Sequence, residues 1–326
     1  MRAEGAEAAP TETKLTARAG MSLEALYDHH RGKVADKWLA YLREYDRILA
    51  EYRHRPVRLL EIGVQNGGSL ELWADYFARA EAIIGCDINP DCEKLRFNDP
   101  RISVIIGDAN SDAVQRMLVE QGQSFDIIID DGSHRSGDVV RSFARYFPHL
   151  ADGGAFIIED LHCSYTREFE GGLFHPHSSM TFLKRLADII NHEHWGIARA
   201  RADLVRGLMK QHGLRLHDRE LGRIHSIEFS NSLCVIRKAA TDANLLGARI
   251  IVGSELVAED VLALQGMVQL SVEDQSSNAW STAPLPPEEE LLSLREAVAG
   301  LDARTDGLVT SGASERTARD SNPKSP

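Results

Sequence analysis

Short apolar runs alternate with stretches of helical periodicity through the central part of the chain. Five runs predict β-strands: VRLLEIGV, AIIGCDI, ISVIIGD, FDIIIDD and AFIIED. Between them, SLELWADYFARA, a short stretch near Glu93, DAVQRMLVEQ and GDVVRSFARYF have the spacing of helices. Strands that alternate with helices predict βαβ units, and right-handed crossovers place the helices on both faces of a parallel sheet. The continuously apolar runs are typical of strands buried on both faces.

The pattern changes after Asp160. Residues 161–178 are rich in Gly, His and Ser and predict a loop, and SSMTFLKRLADIINHEH predicts a helix with Ser178 or Ser179 as its N-cap. IHSIEFSN and SLCVIRKA then follow each other with almost no gap, which is typical of a β-hairpin. The expected fold is therefore α/β and doubly wound, with a mostly parallel sheet that ends in an antiparallel pair.

Both ends of the chain differ from this central region. Residues 1–20 are small and polar and predict a disordered tail, whereas residues 21 to about 53 predict a helix. Residues 241–275 predict a small appended element, and residues 276–326 a linker, a short heptad helix and a disordered tail. The heptad positions are Leu291, Leu294, Val298, Leu301 and Leu308, with Thr305 filling the gap. They favour either a short coiled coil, which would make the chain a homo-oligomer, or a single solvated helix.

Composition excludes several classes of function. The 326 residues are 43% hydrophobic and 26% charged, which is typical of a globular protein, and the formal net charge of −12 argues against general nucleic-acid binding. No apolar run approaches the ~18 residues of a membrane span, and the N-terminus lacks the apolar core of a signal peptide. The four cysteines show no zinc spacing. A cytoplasmic location is the expectation.

Four acidic residues stand at the ends of two predicted strands. Asp130 and Asp131 end FDIIIDD, Glu159 and Asp160 end AFIIED, and His134 follows the first pair. Ligands of open α/β sheets bind beyond the carboxyl ends of the strands, where these carboxylates would converge if the two strands are neighbours. Clustered carboxylate oxygens favour a hard cation such as Mg²⁺, and a histidine beside them is a candidate general base. The alternatives are a capped strand end and a histidine that only begins a helix.

A glycine-rich turn, LLEIGVQNGGS, follows the first strand. It differs from the dinucleotide motif because Gln65 occupies the second glycine position. Asp87 ends the second strand about 24 residues after Gly63, where an acid binds ribose hydroxyls, and Asp108 ends the third strand near the expected adenine edge. Each acid alone is also typical of a turn or a helix cap. Glu61 before the turn would repel a phosphate and suit a cationic ligand such as S-adenosylmethionine.

These segments, together with GCDI, GDAN, IIIDDGSH and GGAFIIEDLHCSY, resemble class I S-adenosylmethionine-dependent methyltransferases. More narrowly, they resemble the metal-dependent sugar O-methyltransferases of macrolide biosynthesis, the mycinamicin type, and also methyltransferases of surface-polysaccharide assembly. The resemblance covers roughly residues 30–238 and implies a seven-stranded Rossmann-like sheet whose last strand is antiparallel. HHRGKVADKWLAYL resembles the DK-containing entry helix of this group. We therefore expect a methyltransferase domain over residues 21–240.

The resemblance also implies roles for individual residues. It implies that Asp131, Glu159 and Asp160 hold Mg²⁺ and that His134 is the catalytic base. The residues expected around the S-adenosylmethionine cofactor are Glu61, Gly63, Asn66, Gly67, Ser69, Asp87, Asp108, Ala109 and Asp130.

The predicted function is Mg²⁺-dependent methyl transfer from S-adenosylmethionine to a sugar hydroxyl of a glycoside, natural product or polysaccharide. Tyr165 and the glycine-rich loop after it are expected to cover the acceptor site. One alternative is a small-phenol O-methyltransferase or a cephalosporin-hydroxylase-like protein on the same fold. Others are a non-catalytic cofactor-binding module tethered to a glycosyltransferase and, disfavoured by Glu61 and Gln65, a nucleotide-dependent oxidoreductase.

Overall fold

The computed structural model describes residues 20–268 and 272–282. The chain divides into two compact units, Met1–Asp274 and Gln275–Pro326. In the second unit, the described residues include one short helix, Ala279–Thr282. The predicted heptad helix and almost all of the predicted N-terminal tail lie outside the described residues.

The described part of the first unit contains one seven-stranded sheet in the order β3-β2-β1-β4-β5-β7-β6. Strands β1 to β5 are parallel to their neighbours, whereas β7 is antiparallel to both β5 and β6. This arrangement confirms the predicted doubly wound, mostly parallel sheet with an antiparallel last strand. The strands are β1 (Arg58–Ile62), β2 (Ala82–Asp87), β3 (Ile102–Ile106), β4 (Phe125–Asp130), β5 (Leu150–Ile158), β6 (Ile224–Ser230) and β7 (Leu233–Lys238).

Helices cover both faces of this sheet. The α-helices are α1 (Leu23–His29), α2 (Leu39–Leu49), α3 (Gly68–Tyr76), α4 (Asp112–Gly122), α5 (Ser136–Tyr146), α6 (Ser179–Ile190), α7 (Arg206–Gln211), α8 (Asp218–Leu221) and, in the second unit, α9 (Ala279–Thr282). Ser178 is the N-cap of α6, as predicted, because its side chain accepts a hydrogen bond from the Thr181 amide at 3.2 Å. Short 3-10 helices span Ala50–Tyr52, Pro90–Lys94, Phe147–His149, Leu161–Tyr165, Arg167–Phe169, His192–His194, Arg201–Leu204, Thr241–Asn244 and Leu262–Leu264.

The apolar runs supply two cores because successive strand residues point to opposite faces. Ile127 and Ile129 pack with α1, α2 and α3, whereas Ile128 between them packs with α4, α5, α6 and α7. Both faces of the strand are therefore buried, as the uninterrupted apolar pattern predicts.

The prediction that residues 21 to about 53 are helical is wrong for one stretch. Residues 30–38 form a non-helical segment between α1 and α2, which we call the 30–38 segment. Its backbone binds α3 instead: the Lys33 amide donates to Glu71 Oε2 at 2.9 Å, and the Gly68 amide donates to the Val34 carbonyl at 3.1 Å. These tertiary hydrogen bonds replace helical ones, and they bring the segment to the carboxyl ends of the strands.

Residues beyond β7 contain little regular structure. The short helices Thr241–Asn244 and Leu262–Leu264 lie here, and an isolated antiparallel bridge pairs Ala248, after the first helix, with Val268, after the second. Among the described residues, no helix combines the length and the apolar character that crossing a membrane requires.

Candidate functional site

A cavity of about 640 Å³ lies beyond the carboxyl ends of the parallel strands. The strand register aligns Ile62, Cys86, Asp130 and Ile158, so that the residues following them open into one space. Ten of the predicted site residues line this cavity: Gly63, Ser69, Asp87, Asp108, Ala109, Asp130, Asp131, His134, Glu159 and Asp160. The structure therefore brings the glycine turn and the acidic strand ends together.

The glycine turn passes directly over the strand that carries the acidic pair. Gly63 has a φ of +94°, and a Cβ atom there would lie 2.0 Å from the Asp131 carbonyl oxygen. Only glycine meets both requirements without strain. Asp87 secures the turn, because its Oδ2 accepts hydrogen bonds from the amides of Val64 and Gln65, each at 2.8 Å.

Three of the predicted cofactor residues do not line the cavity. Asn66 and Gly67 lie in the turn itself, and Gly67 is the N-cap of α3 with a φ of 81°. Glu61 is fully buried beneath the turn, where Ser69 Oγ donates to its Oε2 at 2.7 Å and Trp73 Nε1 to its Oε1 at 3.2 Å. Burial raises the pKa of Glu61.

The far wall of the cavity is formed by the ends of β3 and β4. Asp108 Oδ1 accepts from the Asn110 amide at 2.8 Å, and Ala109 is buried beside it. Asp130 is 5% exposed, and its Oδ2 has no hydrogen-bond partner among the described residues. Burial raises the pKa of Asp130 to about 7.

Asp131, His134 and Asp160 form a compact cluster. Each offers one atom suitable for a metal, and these atoms all lie within 4.8 Å of one another. His134 Nε2 is 3.6 Å from Asp160 Oδ2. His134 and Asp160 have φ values of 56° and 54°, in the left-handed region that costs residues other than glycine about 1–3 kcal/mol. Such strain is typical of functional sites, where it holds a side chain in a required direction.

Glu159 lies beside this cluster rather than within it. Its side chain is 2% exposed, and its Oε1 accepts from the Tyr45 hydroxyl at 2.5 Å and from Lys37 Nζ at 2.8 Å. Burial raises the pKa of Glu159 to about 8, against the opposing effect of the Lys37 charge. Of the three predicted metal ligands, the structure thus groups Asp131 and Asp160 with His134 and holds Glu159 through a lysine and a tyrosine.

Four residues that contact these acids are not predicted from the sequence. Lys37 and Trp38 end the 30–38 segment, and Tyr41 and Tyr45 follow in α2. Trp38 Nε1 donates to Asp160 Oδ1 at 3.0 Å, and the Tyr41 hydroxyl donates to the same oxygen at 2.8 Å. The DK-containing segment was the available signal, but a pattern that predicts a helix says nothing of contacts more than 90 residues away in the chain.

The loop after Asp160 contacts residues of the site. The His162 ring packs edge-on against Trp38, with ring centroids 5.9 Å apart, and Phe169 approaches His134 with centroids 6.5 Å apart. Tyr165 is 44% exposed at the end of its 3-10 helix. The rings of His175 and His177 contact each other, further along the loop.

Known proteins with similar sequences are methyltransferases. Residues 60–161 match a family described as "Methyltransferase domain". The chain is 38% identical over 168 residues to the 8-demethyl-8-alpha-L-rhamnosyl tetracenomycin-C 2'-O-methyltransferase of Streptomyces olivaceus, covering 48% of this chain and 43% of that protein. It is 39% identical over 160 residues to the mycinamicin VI 2''-O-methyltransferase of Micromonospora griseorubida, covering 46% and 39%. The chain thus matches less than half the length of these relatives.

Solved structures give a consistent result. The MycE methyltransferase of the mycinamycin pathway, solved in complex with Mg and SAH, superposes with a TM-score of 0.56 at 29% identity. The match covers 68% of this chain and 55% of that one. Residues 60–161 therefore match a methyltransferase domain family, and the fold is similar to that of a methyltransferase solved with Mg and SAH.

Proposed function

We propose that this protein is an O-methyltransferase that transfers the methyl group of S-adenosylmethionine to a sugar hydroxyl, with the help of Mg²⁺. The acceptor would be a glycoside, a natural product or a polysaccharide. The observation that carries the proposal is the shared cavity, in which Gly63 and Asp87 face the same space as Asp131, His134 and Asp160. A donor in the turn and an acceptor at the carboxylates would be neighbours there.

The cofactor is assigned to the half of the cavity between the glycine turn and the ends of β2 to β4. Gly63 lets the backbone approach the ligand closely, Asp87 is placed for the ribose hydroxyls and Asp108 for the adenine. Asp130 supplies an unpaired carboxylate oxygen to the wall where the methionine part would lie. Glu61 would act from beneath the turn, through its charge rather than by contact.

The donor set at the other half fits a hard divalent cation. Asp131 and Asp160 offer carboxylate oxygens that are close enough together to bind one cation. Glu159, the residue between the end of β5 and Asp160, lines the same cavity. We assign these three as ligands and leave His134 free to act as a base. When bound, the metal would act as a Lewis acid that lowers the pKa of a coordinated sugar hydroxyl.

His134 is assigned to remove the hydroxyl proton. Its Nε2 faces Asp160, which would stabilise the imidazolium that forms. The hydroxyl oxygen then forms a bond to the methyl carbon as the carbon–sulfur bond breaks, and the bonding electrons remain on sulfur. The sulfonium charge is lost in this step, and the proton resides on His134.

The sugar is inferred from the relatives. The proteins that match act, by their names, on a rhamnosyl tetracenomycin, mycinamicin VI and demethylmacrocin. The exposed aromatic side chain of Trp38, which lines the cavity, offers a flat surface for the apolar face of such an acceptor. Because the match covers less than half of each relative, the acceptor assignment rests on the domain alone.

Three measurements test the proposal. Calorimetry should detect S-adenosylmethionine binding, and mass spectrometry should detect a methylated product across a panel of deoxysugar glycosides, with catechols as the competing acceptor class. Treatment with EDTA should abolish turnover and Mg²⁺ should restore it. Full turnover in chelator would refute the metal assignment, and methylation of catechols in preference to every glycoside would refute the sugar acceptor.

A further inference from the structure

One ammonium group lies among the buried carboxylates of the site. The Lys37 side chain is 2% exposed, and its Nζ contacts Asp131 Oδ2 directly. The same nitrogen is 2.8 Å from Glu159 Oε1 and 3.9 Å from Glu61 Oε1. A lysine this deeply buried is rare unless it is paired with acids. Lys37 therefore forms ion pairs with two of the three carboxylates that we assign to the metal.

The position of Lys37 does not depend on its ammonium group alone. The 30–38 segment is attached to α3 through the Lys33 amide and Glu71, and through the Val34 carbonyl and the Gly68 amide. Trp38, the next residue, donates to Asp160 Oδ1. Backbone hydrogen bonds before Lys37 and the Trp38 side chain after it thus hold the lysine at the cavity wall.

The charges of this group are unequal. Glu61, Asp131 and Glu159 offer three carboxylates, and their ion pairs within the described residues are all with Lys37. Like charges enclosed in one site destabilise each other, so the lysine lowers the cost of keeping these acids together. A divalent cation at Asp131 and Glu159 would serve the same purpose, and its charge would be repelled by the ammonium.

We propose that Lys37 is a positioning residue that substitutes for the divalent cation when none is bound, and that the two cations bind antagonistically. The inference rests on the metal assignment made under the proposed function. In the metal-free protein the ammonium holds Asp131 and Glu159 in place. Metal binding then weakens the hold of Lys37 on these oxygens, and removal of the ammonium favours the metal.

The test compares two lysine variants by calorimetric titration with Mg²⁺ and with Mn²⁺, in the full chain and without cofactor. Lys37→Met should bind each ion about tenfold tighter or more, because the competing charge is gone. Its metal-free form should melt at a lower temperature than the wild type, and added Mg²⁺ should raise that temperature more than in the wild type. Neither readout requires turnover.

Lys33→Met is the matched control. It removes the same charge four residues earlier, but Lys33 Nζ pairs with Glu71 at 2.6 Å rather than with the metal carboxylates. Its affinity for either ion should stay within about threefold of the wild-type value. Equal tightening in both variants would mean that only general charge matters, and the inference would be wrong.

The outcomes separate this inference from the proposed function. Mg²⁺ binding that is unchanged or weaker in Lys37→Met overturns the inference and leaves the metal assignment intact. An absence of divalent binding in wild type and in both variants overturns the metal assignment and the inference with it. If Lys37→Met does not fold, the inference is tested in the wild type by NMR. The ¹⁵N signal of the Lys37 ammonium is assigned by its loss in Lys37→Arg. The signal should shift on Mg²⁺ addition, and an unchanged signal overturns the inference.

Discussion

Gly63 joins the cofactor turn to the acidic strand, and replacing it by alanine should damage both. The added methyl carbon would start 2.0 Å from the Asp131 carbonyl oxygen and 2.6 Å from its carbonyl carbon, so the backbone of one strand end must move. The φ of +94° adds the penalty of a left-handed alanine, about 1–2 kcal/mol. Overpacking adds about 1–3 kcal/mol. We expect a total destabilisation of about 2–5 kcal/mol.

Gly153→Ala separates these two contributions. Gly153 also has a positive φ, +77°, but nothing lies within 4 Å of the position of its Cβ. Denaturant unfolding should show a loss of about 1–2 kcal/mol for Gly153→Ala and a clearly larger loss for Gly63→Ala. Calorimetry should show weakened binding of S-adenosylhomocysteine in Gly63→Ala only. Equal stability and equal binding in the two variants would refute the close approach on which the site model depends.

Four further variants, one of them a control, test other parts of the structure. His134→Ala should lower turnover by a factor on the order of 10² or more and leave S-adenosylhomocysteine binding unchanged. The control, His162→Ala, should keep turnover within about tenfold of the wild-type value. Normal turnover in His134→Ala would exclude His134 as the base. Lys238→Met should lower the free energy of unfolding by about 2–4 kcal/mol in urea, because the buried Lys238 ammonium donates to three backbone carbonyls at 2.6–3.0 Å. A decrease below ~1 kcal/mol would contradict this role. Burial raises the pKa of Asp99, but the hydrogen bonds and charge of Arg101 outweigh it and lower that pKa below its usual value. The stabilisation is therefore present above about pH 4 and is lost as the pH falls through the folded-state pKa, so the destabilisation by Asp99→Asn should shrink between pH 7 and pH 3; a constant difference would contradict the pairing.

The sheet and its acidic ends were predictable because both depend on local pattern. Each parallel strand is an uninterrupted apolar run, and the polar residue that ends the run marks the edge where ligands bind. The sequence alone therefore predicts that Asp131 and Asp160 lie at the same edge of the sheet. The hairpin of β6 and β7 followed from two runs separated by a tight connection.

The 30–38 segment could not be predicted in this way. Its residues form hydrogen bonds with α3 and with the residues that follow the β-strands. The spacing of residues within the segment does not predict such distant partners. Lys37 is 94 residues from Asp131 in the chain. Glu61 shows a second limit: it shares a strand face with Leu59, which packs with Trp73, so its carboxylate points beneath the turn rather than into the cavity.

The acidic cavity also distinguishes between classes of nucleotide ligand. A dinucleotide would bring its pyrophosphate to the glycine turn, near Glu61, Asp131 and Glu159. At a separation of about 5 Å and an effective dielectric constant of about 20, one ionised carboxylate repels a phosphate charge by about 3 kcal/mol and attracts a sulfonium by a similar amount. Lys37 offers these three acids a single compensating charge, so the sign of the effect is kept and its size is reduced.

Calorimetric titration should therefore detect S-adenosylmethionine and fail to detect NAD at the same concentration. Glu61→Gln keeps the side-chain shape and an acceptor for the hydroxyl of Ser69, but it removes one charge. This variant should bind S-adenosylmethionine more weakly and narrow the difference between the two ligands. Tight NAD binding to the wild type would show that the buried acids do not select the ligand, because a phosphate tolerated beside them would mean that their charge is already neutralised.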